Sequence, residues 1–258
     1  MKKYILTLIL ALASLGLYAQ TNRNKTIINA ALHGWEYEIK AGVNLGGTAP
    51  LPFPEEIRSI DGYNPTLSIT IEGNMTKWLD SKKKTGNITG QGLENKTMQT
   101  NATVKNYNME IIGYDGNRLK GNWTGGVRTK VQNSYITIPV LAAYKLNPRT
   151  TLKLGPYFSY LMDGDFSGHV YEGYLRETNP TGDKINFTNG AIATYDFSGD
   201  LRKFQWGVQA GVDWKAFKHL KVHADLNWGL NDIFNKDFKT VTFDMYAIYL
   251  NVGFGYAF

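Results

Sequence analysis

Apolar and polar residues alternate with a period of two along most of the chain beyond residue 34, the signature of strands with one apolar face. Residues 244–258 show it best. Tyr246, Ile248, Leu250, Val252, Phe254, Tyr256 and Phe258 fall on one side, and Ala247, Tyr249, Asn251, Gly253, Gly255 and Ala257 on the other. The pattern recurs over residues 35–46, 203–216 and 220–231, and more softly over 67–75, 135–146 and 152–163. Barrels of this kind carry an even number of strands, so an eighth is expected within 87–104, where no clean faces can be assigned.

A soluble sandwich alternates too, but two features favour a membrane barrel. The polar faces carry full charges at Glu38, Lys40, Glu72, Lys153, Asp213 and Asp225, while the apolar faces are large and fringed by Trp and Tyr. The connections also alternate in length, with short ones at 80–86, 147–149 and 217–219 and long ones at 47–65, 105–133, 164–202 and 232–243. Outer-membrane barrels place short turns in the periplasm and long loops outside. The expected fold is all-β: an eight-stranded antiparallel up-and-down transmembrane β-barrel with long extracellular loops, closed by pairing 244–258 with 35–46. Aromatic girdles are expected from Trp35, Trp78, Tyr144, Phe217 and Phe258 on one rim and from Phe158, Tyr160, Trp206 and Trp228 on the other.

The first residues read differently. Lys2 and Lys3 precede an apolar run from Tyr4 to Leu17, and Leu17-Tyr18-Ala19 ends in a small residue, so residues 1–19 read as a signal peptide. Residues 20–34 read as a periplasmic leader and 35–258 as the barrel. With no cysteine in the chain there is no disulfide, thiolate metal site or lipid-anchored cysteine. Removing Lys2 and Lys3 from the 28 basic residues leaves 26 against 22 acidic ones, too mild an excess to suggest nucleic acid.

The segment Tyr135-Ile136-Thr137-Ile138-Pro139-Val140-Leu141-Ala142-Ala143-Tyr144-Lys145-Leu146, then Leu154-Gly155-Pro156-Tyr157-Phe158, resembles the PorT-like, porin-family outer-membrane β-barrel proteins of Bacteroidetes. The terminal Tyr249-Leu250-Asn251-Val252-Gly253-Phe254-Gly255-Tyr256-Ala257-Phe258 is similar too. The resemblance, over residues 35–258, implies an outer-membrane location. It also implies recognition of the final strand, ending at Phe258, by the barrel-insertion machinery. It implies no particular activity.

An eight-stranded barrel is only wide enough for its own side chains. Glu38, Lys40, Glu72, Asp213, His223 and Asp225 are therefore expected to meet in the lumen and pair. The alternative is a narrow polar path or small-ligand site. No catalytic, cofactor or metal set is assigned. His223 shares a face with Asp225 but lacks a neighbouring nucleophile. Outside, the basic stretch 105–130 could meet lipopolysaccharide phosphates, and His169, Tyr171 and Tyr174 in the acidic stretch 164–202 could contact a surface glycan or protein. Three readings follow: a structural or binding barrel acting through its outer loops, a narrow pore, and a membrane hydrolase or acyl-modifying enzyme.

Overall fold

A computed structural model describes residues 33–113 and 116–258; the expected signal peptide and nearly all of the leader lie outside them. The strands are β1 (Trp35–Pro50), β2 (Ile57–Asn64), β3 (Ile69–Trp78), β4 (Thr85–Ile112), β5 (Arg118–Lys145), β6 (Thr150–Glu177), β7 (Lys184–Asp196), β8 (Phe204–Lys215), β9 (Leu220–Gly229) and β10 (Met245–Ala257). Eight of them close an antiparallel ring in the order β1, β3, β4, β5, β6, β8, β9, β10 and back to β1. The closing seam runs from Glu38↔Ala257 to Pro50↔Met245. The expected eight strands are thus the ring, and β2 and β7 are additions to it.

Around the ring the outward faces carry exposed apolar residues, among them Ile39, Ile71, Leu93, Val140, Leu154, Val208, Leu226 and Leu250. The inward faces bury polar ones. Trp78 departs from the expected girdle. It lies on the inward face of β3, buried with Ile88, Leu141 and Ala143, with the Lys145 ammonium 3.9 Å from its ring.

The largest difference lies in the long connections. Residues 105–133 and 164–202 are mostly strand: β4, β5 and β6 are each 28 residues long, well beyond the roughly 9–11 needed to cross a bilayer. The cause is that alternation continues with its sense reversed. Below, β5 turns Ile138 and Val140 outward and Thr137 inward; above, it exposes Arg128 and Gln132 and buries Val127 and Val131. A wall surrounded by water needs its apolar face inside, like any soluble protein. Strand β7 runs along β6 and reaches β4 at Ile112↔Thr194. The upper wall thereby curls around buried Met109, Ile111, Trp123, Leu175 and Phe187.

Residues 197–204 and 230–244 fold across the outer mouth. Leu201 bridges Phe234, and Phe234 packs against Phe166 and Phe238 with ring centroids 5.0 and 4.6 Å apart. The lumen thus ends in an aromatic cap.

Leu250 sits mid-strand on the lipid side, paired with Leu45 and Leu226. Leu250→Arg is expected to cost roughly 2–4 kcal/mol, read from urea unfolding in vesicles. Normal stability and normal heat-modifiable gel migration of that variant would show the face assignment to be wrong.

Candidate functional site

The lumen is filled in layers. At its lower end Lys221 of β9 reaches Glu36 and Glu38 of β1, at 2.6 and 3.0 Å. Above them Lys40 lies between Asp225, at 2.7 Å, and Glu72, at 3.6 Å. Lys153 of β6 contacts Asp213 at 2.6 Å and the same Asp225 at 2.7 Å. Asp225 therefore ties β1, β6 and β9 together across the barrel. The alternation that turns an apolar face to lipid turns these charges inward, and in a low-dielectric interior a charge is tolerated only when paired.

Next comes a layer of neutral polar groups. The Asn251 amide donates to Asn44 Oδ1 at 2.7 Å and to the Thr70 hydroxyl at 3.1 Å. His223 Nε2 lies 2.7 Å from Asn251 Oδ1. Higher still, the buried Lys96 ammonium contacts Glu94 at 3.0 Å. It also stands 5.1, 5.2 and 5.9 Å from the rings of Tyr135, Tyr157 and Tyr249. The Thr137 hydroxyl donates to Glu94 and pairs with Ser159 at 2.7 Å. From this cation–aromatic cage upward the interior is mainly apolar, with Asn133 and Gln205 among the buried polar exceptions.

The structure places all six candidate lumen residues inside the barrel. Glu38 joins the Lys221 pair, and Lys40, Glu72, Asp213 and Asp225 join the network around Lys40 and Lys153, whereas His223 stands outside both and meets Asn251. Lys153 and Lys221 lie outside the six sequence candidates, although each holds two carboxylates. Glu94 and Lys96 were missed, because the Thr- and Asn-rich segment around them shows little alternation.

His169, Tyr171 and Tyr174 lie on β6, not in a loop, and are half-buried. Burial and the cross-strand Arg128 guanidinium push the His169 imidazole below its ordinary pKa. Tyr174 takes the Lys184 ammonium over its ring at 4.1 Å. In the basic stretch, Arg118 and Lys120 flank Glu110 at 2.8 and 3.5 Å, Arg128 donates to Asn101 at 2.8 Å, and Lys130 meets Asp165 at 3.5 Å. The Arg118 hydrogen bond holds the Glu110 carboxyl below its usual pKa. These cations each have a partner within the wall, while Arg118 and Lys120 stay largely exposed. An open polar cavity of about 630 Å³ lies beside them, lined by Glu110, Arg118, Lys120, Asp196, Asp200 and Asp237 among others. Among the described residues no group of three or more His, Asp or Glu side chains is arranged to hold a metal ion.

A closed ring with an apolar exterior and a filled polar lumen defines an integral outer-membrane β-barrel. Residues 18–235 match the family described as outer membrane protein beta-barrel domain, and the chain belongs to that family, in the bacterial outer membrane. No curated protein matches the sequence. Among solved structures the chain is similar to Ail, the attachment invasion locus protein of Yersinia pestis, at 11% identity and TM-score 0.36, covering 86% of this chain and 98% of that one. OprG of Pseudomonas aeruginosa is similar at 10% identity and TM-score 0.33, covering 88% and 97%. The outer membrane protease OmpT of Escherichia coli is similar at 12% identity and TM-score 0.34, covering 87% and 96%.

If Asp225 and Asp213 share Lys153 as the geometry shows, Lys153→Met will cost about 3–5 kcal/mol by stranding buried carboxylates. Adding Asp213→Asn should recover about 1 kcal/mol or more, measured by urea unfolding in vesicles. Purely additive losses would contradict a coupled network.

Proposed function

We propose that this chain is a non-conducting, non-enzymatic binding barrel that meets its partner through the extracellular wall of β4 to β7. The observation that carries the reading is the filled lumen. Paired charges occupy its lower half, the Lys96 cage its middle and the aromatic cap its outer end, so no continuous aqueous path is built into the fold. The long strands instead go into a wall standing above the membrane. That wall offers half-buried Tyr171 and Tyr174 flanked by Arg176 and Lys184, with Glu172 and Asp183 nearby. Tyrosine beside charged groups suits a surface glycan or a protein, since its ring supplies contact area at little entropic cost.

Within the family, the residues over 135–158 and the terminal aromatic strand support placement beside the PorT-like members of Bacteroidetes. On the same reading the chain is exported by its signal peptide, contacts outer-membrane lipid and lipopolysaccharide, and is delivered to the insertion machinery by the strand ending at Phe258.

Two measurements test the reading. Purified protein in a planar bilayer should show no steady single-channel current; large, steady currents would overturn it. On a glycan array and on immobilised surface-protein extracts, Tyr171→Ala combined with Tyr174→Ala should lower binding by about tenfold or more while gel migration stays heat-modifiable. Unchanged binding would remove this face from the proposal.

A further inference from the structure

The barrel wall parts at one place. Strand β3 follows β1 as far as Val43↔Ile69, but β2, which continues β3 upward, pairs with β4 and not with β1. The upper end of β1 therefore has β10 on one side and no strand on the other. Its backbone groups on the open side are met by other means. The Asn44 N–H donates to the Ser68 carbonyl at 2.9 Å. The Gly46 N–H donates to the Tyr63 hydroxyl at 3.1 Å, and that hydroxyl donates back to the Gly46 carbonyl at 2.6 Å. The Thr48 N–H reaches Met98 Sδ at 3.2 Å. Pro50 has no N–H to satisfy.

Behind this gap lies an apolar cavity of about 440 Å³, within the range of small-ligand sites. Pro50, Ile57, Met98, Ala102, Phe243 and Met245 form much of its lining, and no lining residue is charged. Gly47 stands at the entrance, where an added Cβ would come within 2.6 Å of Met98 Sδ. The outer lips are apolar as well, with Leu45 on β1 and Ile60, Tyr63 and Leu67 opposite, all exposed. The eleven residues from Trp35 to Leu45 are about enough to cross a bilayer, so the gap opens at its outer rim, level with the headgroups of the outer leaflet.

We propose that this gap admits the acyl chain of an outer-leaflet lipid into the cavity, with the Tyr63 hydroxyl as a side-chain latch between β2 and β1. The chemistry selects a hydrocarbon chain whose headgroup stays outside. The cavity has no charge to receive a carboxylate or phosphate, and the surface continuous with its entrance is the apolar exterior of the barrel. The site is separate from the Tyr171 face and does not depend on it.

The test uses full-length protein refolded in phosphatidylcholine vesicles that carry a diazirine near the acyl-chain terminus. Adducts are mapped by peptide mass spectrometry after photolysis. Expected are adducts on Met98, Phe243 and Met245 in addition to the outward Leu45 and Leu250. Gly47→Leu should lower the internal adducts by about fivefold or more by filling the entrance, leaving those on Leu250 unchanged. Ala102→Phe narrows the cavity from its far wall and gives the same readout should the glycine variant misfold. Adducts confined to outward residues in folded wild-type protein would overturn the proposal. So would undiminished internal adducts in both filled variants. Internal labelling by a water-soluble diazirine alkyl alcohol, but not by the lipid probe, would overturn it in favour of a solute entering from outside.

Discussion

In hydrocarbon every backbone N–H and C=O must find its partner inside the protein, and the rest of this structure follows from how that demand is met. Eight strands meet it by closing on themselves, with β1 and β10 in register from Glu38↔Ala257 to Pro50↔Met245. Closure at eight strands leaves a lumen only as wide as its own side chains. The charges that alternation turns inward cannot be hydrated there, so they must touch. Asp225 held by both Lys40 and Lys153, and Lys221 held by both Glu36 and Glu38, are the result. The salt bridges are a consequence of ring size before they are a feature of function.

The same demand explains the change of character partway up the barrel. Where lipid surrounds the wall, apolar residues face out and the interior takes the polar ones. Once the wall rises into water the solvent no longer asks for an apolar exterior, and the hydrophobic effect draws apolar residues inward. Lys96 stands at the transition. Its ammonium has Glu94 on one side and three tyrosine rings around it, a cation in contact with both the polar and the aromatic layer. Charge–ring attraction of this kind strengthens when water is excluded, so the cage can hold a lysine that neither layer would accept alone.

How much of this was legible in the sequence depended on the strength of alternation. Strands β1, β8, β9 and β10 are readable because apolar residues, most of them large, sit at every second position for ten or more residues. The lumen charges followed from the same reading, since a face assignment carries its polar partners with it. Strand β4 was placed by counting alone. Around Glu94 and Lys96 the alternate positions are Leu93, Asn95 and Thr97, of which only the first is strongly apolar. The upper halves of β5 and β6 look like loops in the sequence because they reverse the sense of alternation at the membrane boundary, as Val127 and Val131 do against Ile138 and Val140 in β5. A reversal looks like a lost pattern to a reading that expects one medium throughout. Trp78 shows the related limit. Aromatic residues near strand ends suggest a girdle, but only the face decides, and in β3 the even position points inward with Thr70, Asn74 and Thr76.

Where ladder pairing stops, at the top of β1, the demand for backbone partners is met by Tyr63 and Met98 instead of a strand. The two solutions differ in what it takes to undo them. Parting two strands breaks a cooperative row of hydrogen bonds, each exposed to a medium that cannot replace it. Releasing a tyrosine hydroxyl and a thioether asks only for side-chain rotation, and it opens onto a cavity lined by side chains of the same character as the lipid outside. A barrel filled by ion pairs below and capped by aromatic rings above is thus left with one side opening of low cost, clear of the ion pairs that fix its lower half. The position of the gap is itself a product of chain chemistry. Pro65 interrupts the descent from β2 to β3, β2 is drawn onto the long β4 that rises beside it, and Pro50 ends β1 without a donor to recruit a neighbour.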